Sequence, residues 1–236
     1  MKKVKFTMEL EDDVICQARK LAAEANVSLE DYAITFMECL AEISKKDKKL
    51  KLVIERIGMI KRQVNPDLYE SIIFHIIGQQ ISTKAHKTVF DRLVYMVDNI
   101  NPNSIISLTD QQLQSIGISF RKVTYIKGFT QTIINDPTIL TRLKDLDDEQ
   151  VIKELIKIKG VGKWTVEMLM IFCLQRPDIL SYDDLAILRG MRLLYGHKKI
   201  SKSLFERYRK RYSPYGSVAS LYLWAIAQNK IPDLFD

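Results

Sequence analysis

A pair of glycines between two amphipathic stretches constrains this fold more than any other part of the sequence. The stretch before them repeats apolar side chains at helical spacing, at Val151, Ile152, Leu155 and Ile156. Gly160 and Gly162 interrupt the pattern, and a second apolar stripe begins at Trp164. The sequence therefore predicts two helices joined by a very short hairpin, at about residues 155–172.

Polar residues mark the ends of the neighbouring helices. Asp147, with Gln150 three residues later, has the form of a capping box for the first hairpin helix. Asp183 and Asp184 precede a third apolar stripe, which begins at Leu185. We therefore expect this acidic pair at the N-terminus of a further helix.

The glycine pair itself admits two interpretations. Glycines that open a helix leave backbone N–H groups pointing outwards, and such a corner binds anions, most often phosphate. The alternative is an ordinary tight turn between packed helices. Taken alone, the Gly-x-Gly pattern of residues 160–162 favours the ordinary turn, because short glycine motifs are weak signals.

Four segments in order resemble the helix-hairpin-helix (HhH-GPD) DNA glycosylase superfamily. They are Gly-Gln-Gln-Ile-Ser at 78–82, Gly-Ile-Ser-x-x-Lys at 117–122, the hairpin at 155–165 with Tyr-Asp-Asp-Leu-Ala at 182–186, and Tyr-Ser-Pro-Tyr-Gly-Ser-Val-Ala at 212–219. Within the superfamily, the alkylbase branch, 3-methyladenine DNA glycosylase II, resembles the chain most. Two positions depart from the pattern: Gly216, where Arg is usual, and Lys159, where Pro is common.

The resemblance implies an all-α fold for residues 47–236, with two helical subdomains and an active-site cleft between them. The helical periodicity after Leu52, with glycines and prolines between the stripes, agrees with this fold class. We expect residues 1–46 to form a separate N-terminal strand-helix-helix segment, because they show alternation at 4–10 and helical stripes at 11–25 and from Ser28 onward. This segment resembles a ribbon-helix-helix module, which would make the protein a homodimer through residues 1–45. The alternative is a helical extension packed on the main domain.

Composition limits the partners of the chain. Its 236 residues carry a net charge of +7, which fits a polyanion. The three cysteines, Cys16, Cys39 and Cys173, are too far apart to indicate a disulfide framework or a metal site, and they fit a reducing cytoplasm. No run approaches the roughly 18 apolar residues of a membrane span. We therefore expect a cytoplasmic protein with no membrane partner and no catalytic metal.

Asp184 is the candidate catalytic residue. From its position alone, an aspartate here is most simply a helix cap. By the family pattern, Asp184 carries the chemistry and Asp183 is the cap. A carboxylate beside C1′ of deoxyribose would stabilise the positive charge that develops on the sugar, and it can orient or deprotonate the attacking water.

Aromatic residues are the candidates for the base pocket, because N-alkylated purines carry positive charge and stack well on electron-rich rings. We expect Trp164 to line this pocket, followed by Tyr222 and Trp224, although aromatic residues at helical spacing also form cores. In the bifunctional branch, the position of Trp164 holds a lysine that attacks C1′ and cuts the strand. Trp164 therefore implies a monofunctional hydrolase without lyase activity.

The resemblance also implies a set of contacts to double-stranded DNA. Phosphate is expected at Gly160, Gly162, Lys163 and Thr165, with further contacts from Ser119, Arg121 and Lys122. Gln80 matches the wedge that fills the stack when a nucleotide is extruded, although it could equally be a buried residue at a helix kink. In relatives, carbonyl groups of the hairpin, here Lys157–Gly162, bind a monovalent cation.

The sequence thus favours a monofunctional DNA glycosylase that excises alkylated bases of the 3-methyladenine and 7-methylguanine type in base excision repair. One alternative is a non-catalytic DNA-binding protein that keeps the hairpin. Another is a glycosylase of the same fold for a different lesion class. Asp184 together with Trp164 favours the enzyme.

Overall fold

The computed structural model describes residues 29–60, 62 and 64–229. Within these ranges the secondary structure consists of helices, and no strand occurs. The helices are α1 (Leu29–Lys46), α2 (Lys48–Ile57), α3 (Leu68–Gly78), α4 (Thr83–Val97), α5 (Pro102–Ser107), α6 (Asp110–Ser115), α7 (Phe120–Asn135), α8 (Ile139–Arg142), α9 (Asp148–Leu155), α10 (Lys163–Phe172), α11 (Leu185–Tyr195), α12 (Lys202–Tyr212) and α13 (Gly216–Ala227). The prediction of an all-α fold is confirmed.

The N-terminal prediction is only partly covered by the structure. The strand expected at residues 4–10 and the helix at 11–25 lie outside the described residues. The helix expected after Ser28 corresponds to α1. α1 ends at Lys46. This residue and Asp47 after it belong to the basic run between the two predicted segments.

The chain divides into two compact units. The first comprises the chain up to Arg62 together with Leu185 and everything after it, and the second is Gln63–Asp184. The domain boundary expected at residues 46–47 stays a prediction, and the helices on either side of it, α1 and α2, both belong to the first unit.

In the first unit, α11 packs closely against α13. A Cβ atom on Gly190 would lie 2.2 Å from the carbonyl oxygen of Leu223, so only glycine allows this approach. Met191 and Leu194 on α11, and Phe205 on α12, are also buried in this unit. Burying such apolar side chains stabilises the unit by roughly 1.5–3 kcal/mol each.

In the second unit, α3 is the central helix. Ile72, Ile73, Ile76 and Ile77 are all fully buried. α7 and α10 pack against α3, and each contributes buried apolar residues, among them Ile126 and Leu169. The predicted capping box is confirmed, because Asp147 accepts from the Gln150 N–H while the Gln150 side chain accepts from the Asp147 N–H. This box fixes the start of α9, the helix that leads into the hairpin.

None of the helices in the described ranges is both long and apolar enough to cross a bilayer. Within the same ranges, no three His, Cys, Asp or Glu side chains are grouped so that they could hold a metal ion.

Candidate active site

The hairpin between α9 and α10 depends on its first glycine. Gly160 has a φ of 89°, a conformation that side chains disfavour, and a Cβ atom there would lie 2.4 Å from the ring of Tyr125. Gly162 differs, because it has a φ of −95° and an added Cβ would meet nothing within 4 Å. The fold therefore requires glycine at 160. It does not require glycine at 162, where the missing side chain leaves open space next to the helix start.

The N-terminus of α10 is open to an anion. Gly162 is the N-cap and has no side chain to bond the first-turn N–H groups. The first backbone bond of the helix runs from Val166 N to Gly162 O. Thr165 has a buried side chain, so its expected DNA contact can come only from its backbone. The first turn thus presents N–H groups with the partial positive charge of a helix start.

Asp184 and Trp164 are joined by a hydrogen bond. The indole Nε1 of Trp164 donates to Oδ2 of Asp184 over 2.9 Å. The carboxylate is buried, with 6% of Asp184 exposed, whereas Trp164 is 42% exposed despite its large apolar ring. Asp184 is the last residue of the second unit and directly precedes α11, while Asp183 is one residue further away and exposed. The sequence predicted both residues but not the bond between them.

A neutral histidine lies against this indole. The His75 ring is 6.4 Å from the Trp164 ring, with an interplanar angle of 87°. Burial, and secondarily the neighbouring His86, lower the pKa of His75 to about 4. His75 is therefore uncharged at neutral pH, and it adds no positive charge beside the indole.

Glu167 is a site residue that the sequence analysis missed. Its carboxylate is buried on α10, where it accepts a hydrogen bond from the Ser181 hydroxyl and lies 3.6 Å from Lys163 Nζ. Burial raises the pKa of the Glu167 carboxyl, although the Ser181 bond and the Lys163 charge oppose this. The contact ties the segment that ends in Asp184 to the helix that carries Trp164. One signal was available: Glu167 is the lone charge in the apolar run Val166–Phe172.

The loop after α3 is held by two side chains. Lys122 Nζ donates to the carbonyl oxygens of Ile77 and Gln79, each over 2.7 Å, and burial lowers the pKa of Lys122. Gln79 Nε2 donates to the carbonyl oxygen of Gly160 and so connects the loop to the hairpin. Between these contacts, Gln80 is exposed with a φ of 59°. The loop therefore presents Gln80 outwards in a conformation that is rare for a side chain.

Ser119, another expected DNA contact, caps α7. Its hydroxyl accepts from the backbone N–H of Lys122 over 3.4 Å. Arg121 is exposed, and its guanidinium lies 5.8 Å from the centre of the Tyr125 ring.

A family model described as "HhH-GPD superfamily base excision DNA repair protein" matches residues 73–214, which is more than half of the chain. The chain belongs to the HhH-GPD superfamily. The match extends from α3, through the loop with Gln80 and the hairpin, past Asp184 to Pro214.

Several members of the superfamily are similar over most of their length. DNA-3-methyladenine glycosylase 1 of Schizosaccharomyces pombe is 28% identical over 204 residues, covering 83% of this chain and 89% of that protein. The crystal structure of DNA-3-methyladenine glycosidase from Bacillus halodurans has a TM-score of 0.75 at 32% identity, covering 83% of this chain and 91% of that one. The Schizosaccharomyces pombe 3-methyladenine DNA glycosylase in complex with abasic DNA has a TM-score of 0.69 at 28% identity, covering 80% and 95%.

Two residues expected in the base pocket of this HhH-GPD protein belong to the first unit. Tyr222 is fully buried, and its hydroxyl donates to the carbonyl oxygen of Gly58 over 2.9 Å. Burial raises the pKa of Tyr222 to about 12. These facts favour the core interpretation of Tyr222. Trp224 is partly exposed.

The hairpin carbonyls have different partners. Gly160 O accepts from Gln79, and Ile158 O accepts from Val161 N. Among the described residues, the carbonyls of Lys157 and Val161 accept no backbone hydrogen bond outside the helices. Carbonyl oxygens are suitable donors for a hard monovalent cation, so the donor set of the Lys157–Gly162 segment fits the cation that the resemblance implies.

Proposed function

We propose that this protein is a monofunctional DNA glycosylase that hydrolyses the N-glycosidic bond of alkylated bases in double-stranded DNA and leaves an abasic site. One observation carries the proposal: a half-exposed indole, Trp164, donates its N–H to a buried carboxylate, Asp184. A stacking surface for a base and a charge for the sugar thus lie side by side. The similarity to 3-methyladenine DNA glycosylases supports the substrate class.

Asp184 supplies the electrostatic part of the mechanism. Cleavage of the bond between base and sugar builds positive charge at C1′. A carboxylate held near C1′ stabilises that charge more strongly in a dry site than in water. Asp184 also orients or deprotonates the water that attacks C1′. The bond from Trp164 holds Oδ2 of the carboxylate and so fixes the orientation of the charged group.

Trp164 supplies the selectivity for damaged bases. N-alkylated purines such as 3-methyladenine and 7-methylguanine are cationic, and the face of an indole attracts a cation. The His75 ring, edge-on to the indole, is neutral and does not oppose a cationic base. A cationic base is already a good leaving group, so a stacking face and one carboxylate suffice.

The same residues argue against strand cleavage. A lyase forms a Schiff base through an amine at C1′, whereas an indole nitrogen has no free electron pair for this reaction. The nearest amine in sequence, Lys163, lies 3.6 Å from Glu167 Oε1. We therefore expect water to be the nucleophile and an intact strand to be the product. Abasic DNA is also what the relative from Schizosaccharomyces pombe holds.

Duplex DNA is held and opened by the hairpin and the loop after α3. The first-turn N–H groups of α10 receive a phosphate, and the bare Gly162 allows the backbone to approach. Gln80 is exposed and suited to fill the stack once the nucleotide is extruded. We also propose that the protein is cytoplasmic and that it forms a homodimer through residues 1–45.

Base release from methylated duplex DNA tests this function. Wild-type protein should release bases and produce strand breaks only after heat or alkali, whereas Asp184→Asn should bind the DNA and release nothing. Strand breaks without treatment would contradict the absence of lyase activity. DNA binding without release from any of a panel of lesions would favour the non-catalytic alternative.

A further inference from the structure

The positive charge of this chain is concentrated in two segments of the first unit. Residues 44–51 and 197–211 hold only two acidic side chains, Asp47 and Glu206. Their basic side chains number twelve: Lys45, Lys46, Lys48, Lys49, Lys51, Lys198, Lys199, Lys202, Arg207, Arg209, Lys210 and Arg211. The whole chain has 36 basic and 29 acidic side chains, so the rest of it is net acidic.

The fold brings these two segments together around one buried carboxylate. Asp47 is 2% exposed, and its Oδ2 accepts from Arg211 Nη1 over 2.8 Å and from the Tyr195 hydroxyl over 2.7 Å. Its Oδ1 caps α2 through the N–H of Leu50. Lys46 Nζ also donates to the carbonyl oxygen of Ser213. The two segments therefore form one surface, which we call the basic face.

Most cations of the basic face have no carboxylate partner among the residues that the structure describes. Arg209 pairs with Glu206, Arg211 with Asp47, Lys45 with Glu42 and Lys51 with Glu55. Seven others are exposed and form no ion pair with the described residues: Lys48, Lys49, Lys198, Lys199, Lys202, Arg207 and Lys210. Like charges gathered on one surface repel one another and destabilise the unit. A polyanion that binds there would relieve this repulsion.

The basic face lacks the apolar anchors that other partners need. Among the described residues, none of the exposed large hydrophobic side chains lies in 44–51 or 197–211, since Leu50, Ile200 and Phe205 are buried. Protein interfaces centre on buried aromatic or aliphatic residues, and membrane-surface helices insert an apolar face. A surface of exposed Lys and Arg without such anchors is instead typical of contacts to the phosphate backbone.

We propose that the basic face is a second DNA-binding surface, which binds the phosphate backbone of undamaged duplex flanking the lesion without reading its sequence. This inference rests on the proposed DNA glycosylase function. The hairpin of the second unit holds the damaged strand, whereas the basic face adds affinity for undamaged duplex. It therefore acts on how the enzyme finds and retains DNA and leaves the bond-breaking step unchanged.

The test compares two variants with equal charge changes. Lys202→Gln/Lys210→Gln removes two unpaired cations of the basic face. Lys144→Gln/Lys153→Gln removes two exposed cations of the second unit. All four side chains are exposed, so both proteins should melt like the parent. Both pairs are placed in Asp184→Asn, which binds DNA without turnover, and Kd for a long undamaged duplex is measured from about 50 to 200 mM salt.

We expect the slope of log Kd against log salt to fall by about 1.8 in the basic-face variant, since each lost phosphate contact removes about 0.9. The control variant should keep the parental slope. With Asp184 restored, single-turnover base release from a short lesion duplex should be unchanged in both. Equal slopes for the two variants would overturn the proposal. So would a loss of binding to single-stranded RNA or anionic vesicles with no change for duplex DNA. Base release by the wild type is measured separately, so failure of the basic face is distinguishable from failure of the glycosylase function.

Discussion

Trp164 and Asp184 are joined through the indole N–H and one carboxylate oxygen, at 2.9 Å. This bond fixes the ring relative to the carboxylate, although Trp164 lies in the first turn of α10 and Asp184 ends the segment that follows this helix. Ser181 and Glu167 make a second link between the same two parts of the chain. The stacking surface and the charge are therefore positioned as a pair before any DNA binds, which is what electrostatic stabilisation of a transition state requires.

Trp164→Phe keeps an aromatic face but removes the bond to Asp184. Because a hydrogen bond to a charged group contributes about 1.5–3 kcal/mol, we expect the single-turnover rate of base release to fall by about 10- to 100-fold. Asp184→Asn should lose more, because it removes the charge itself. The measurement is release of 7-methylguanine at saturating enzyme. An unchanged rate in Trp164→Phe would show that the bond has no part in catalysis.

The two hairpin glycines should separate folding from DNA binding. Gly160→Ala combines a positive φ with a Cβ 2.4 Å from the Tyr125 ring, so we expect the free energy of unfolding to fall by about 1–3 kcal/mol. Gly162→Ala has an allowed φ and no neighbour, so its stability should change by less than about 1 kcal/mol while its affinity for duplex DNA falls. Urea denaturation and a DNA titration of each variant provide the comparison. If Gly162→Ala lowered the stability and bound DNA normally, Gly162 would be needed for folding and not for DNA binding.

Lys122 should act by positioning the loop that carries Gln80. Lys122→Met removes the two hydrogen bonds to the carbonyl groups of Ile77 and Gln79 and replaces the ammonium group with an uncharged side chain. We expect slower base release from a fully paired duplex and a smaller loss when the lesion lies in a bulge, where extrusion is easier. The salt dependence of DNA binding should stay unchanged.

The matched control for Lys122 is Lys163→Met, at the open N-terminus of α10. Its ammonium lies 3.6 Å from Glu167 Oε1, yet the side chain is 59% exposed and can meet a phosphate, so the salt slope should fall by about 0.9. If Lys122→Met lowers the slope equally, Lys122 contacts phosphate directly, as the sequence suggested.

His75 should make stability depend on pH. Its pKa is about 4 in the folded protein, below the ordinary 6.5, because burial disfavours the charged ring. Between these values the unfolded chain binds more protons, so the free energy of unfolding falls as the pH is lowered from about 6.5 to 4, by about 1.4 kcal/mol per pH unit. Denaturation at several pH values should give a flatter profile for His75→Gln. Burial also lowers the pKa of His86, so part of the dependence of stability on pH should remain in His75→Gln. Parallel profiles for wild type and variant would disprove the role of His75.

The sequence was informative where a signal is local. Helical spacing and the Asp147–Gln150 box predicted α9, and the glycines predicted the hairpin, because these features depend on residues a few positions apart. Long-range contacts were not predictable. The bond from Gln79 to Gly160 joins residues 81 apart, and Asp47 reaches Arg211 over 164 residues. For the same reason, spacing alone could not tell whether Tyr222 lines a pocket or fills a core. Helical periodicity marks which side of a helix is covered but not what covers it.

The order of the two units along the chain has a consequence for biosynthesis. The second unit, Gln63–Asp184, is continuous, whereas the first is split and regains its partner helices only from Leu185 onward. A ribosome therefore completes the hairpin, Trp164 and Asp184 before it makes α11, α12 and α13. Until those helices emerge, α2 lacks its contacts with α11 and α13, and Asp47 has no Arg211. Premature termination just after residue 184 would thus leave the reactive residues present on a chain whose first unit cannot close, a form that quality-control proteases are expected to remove.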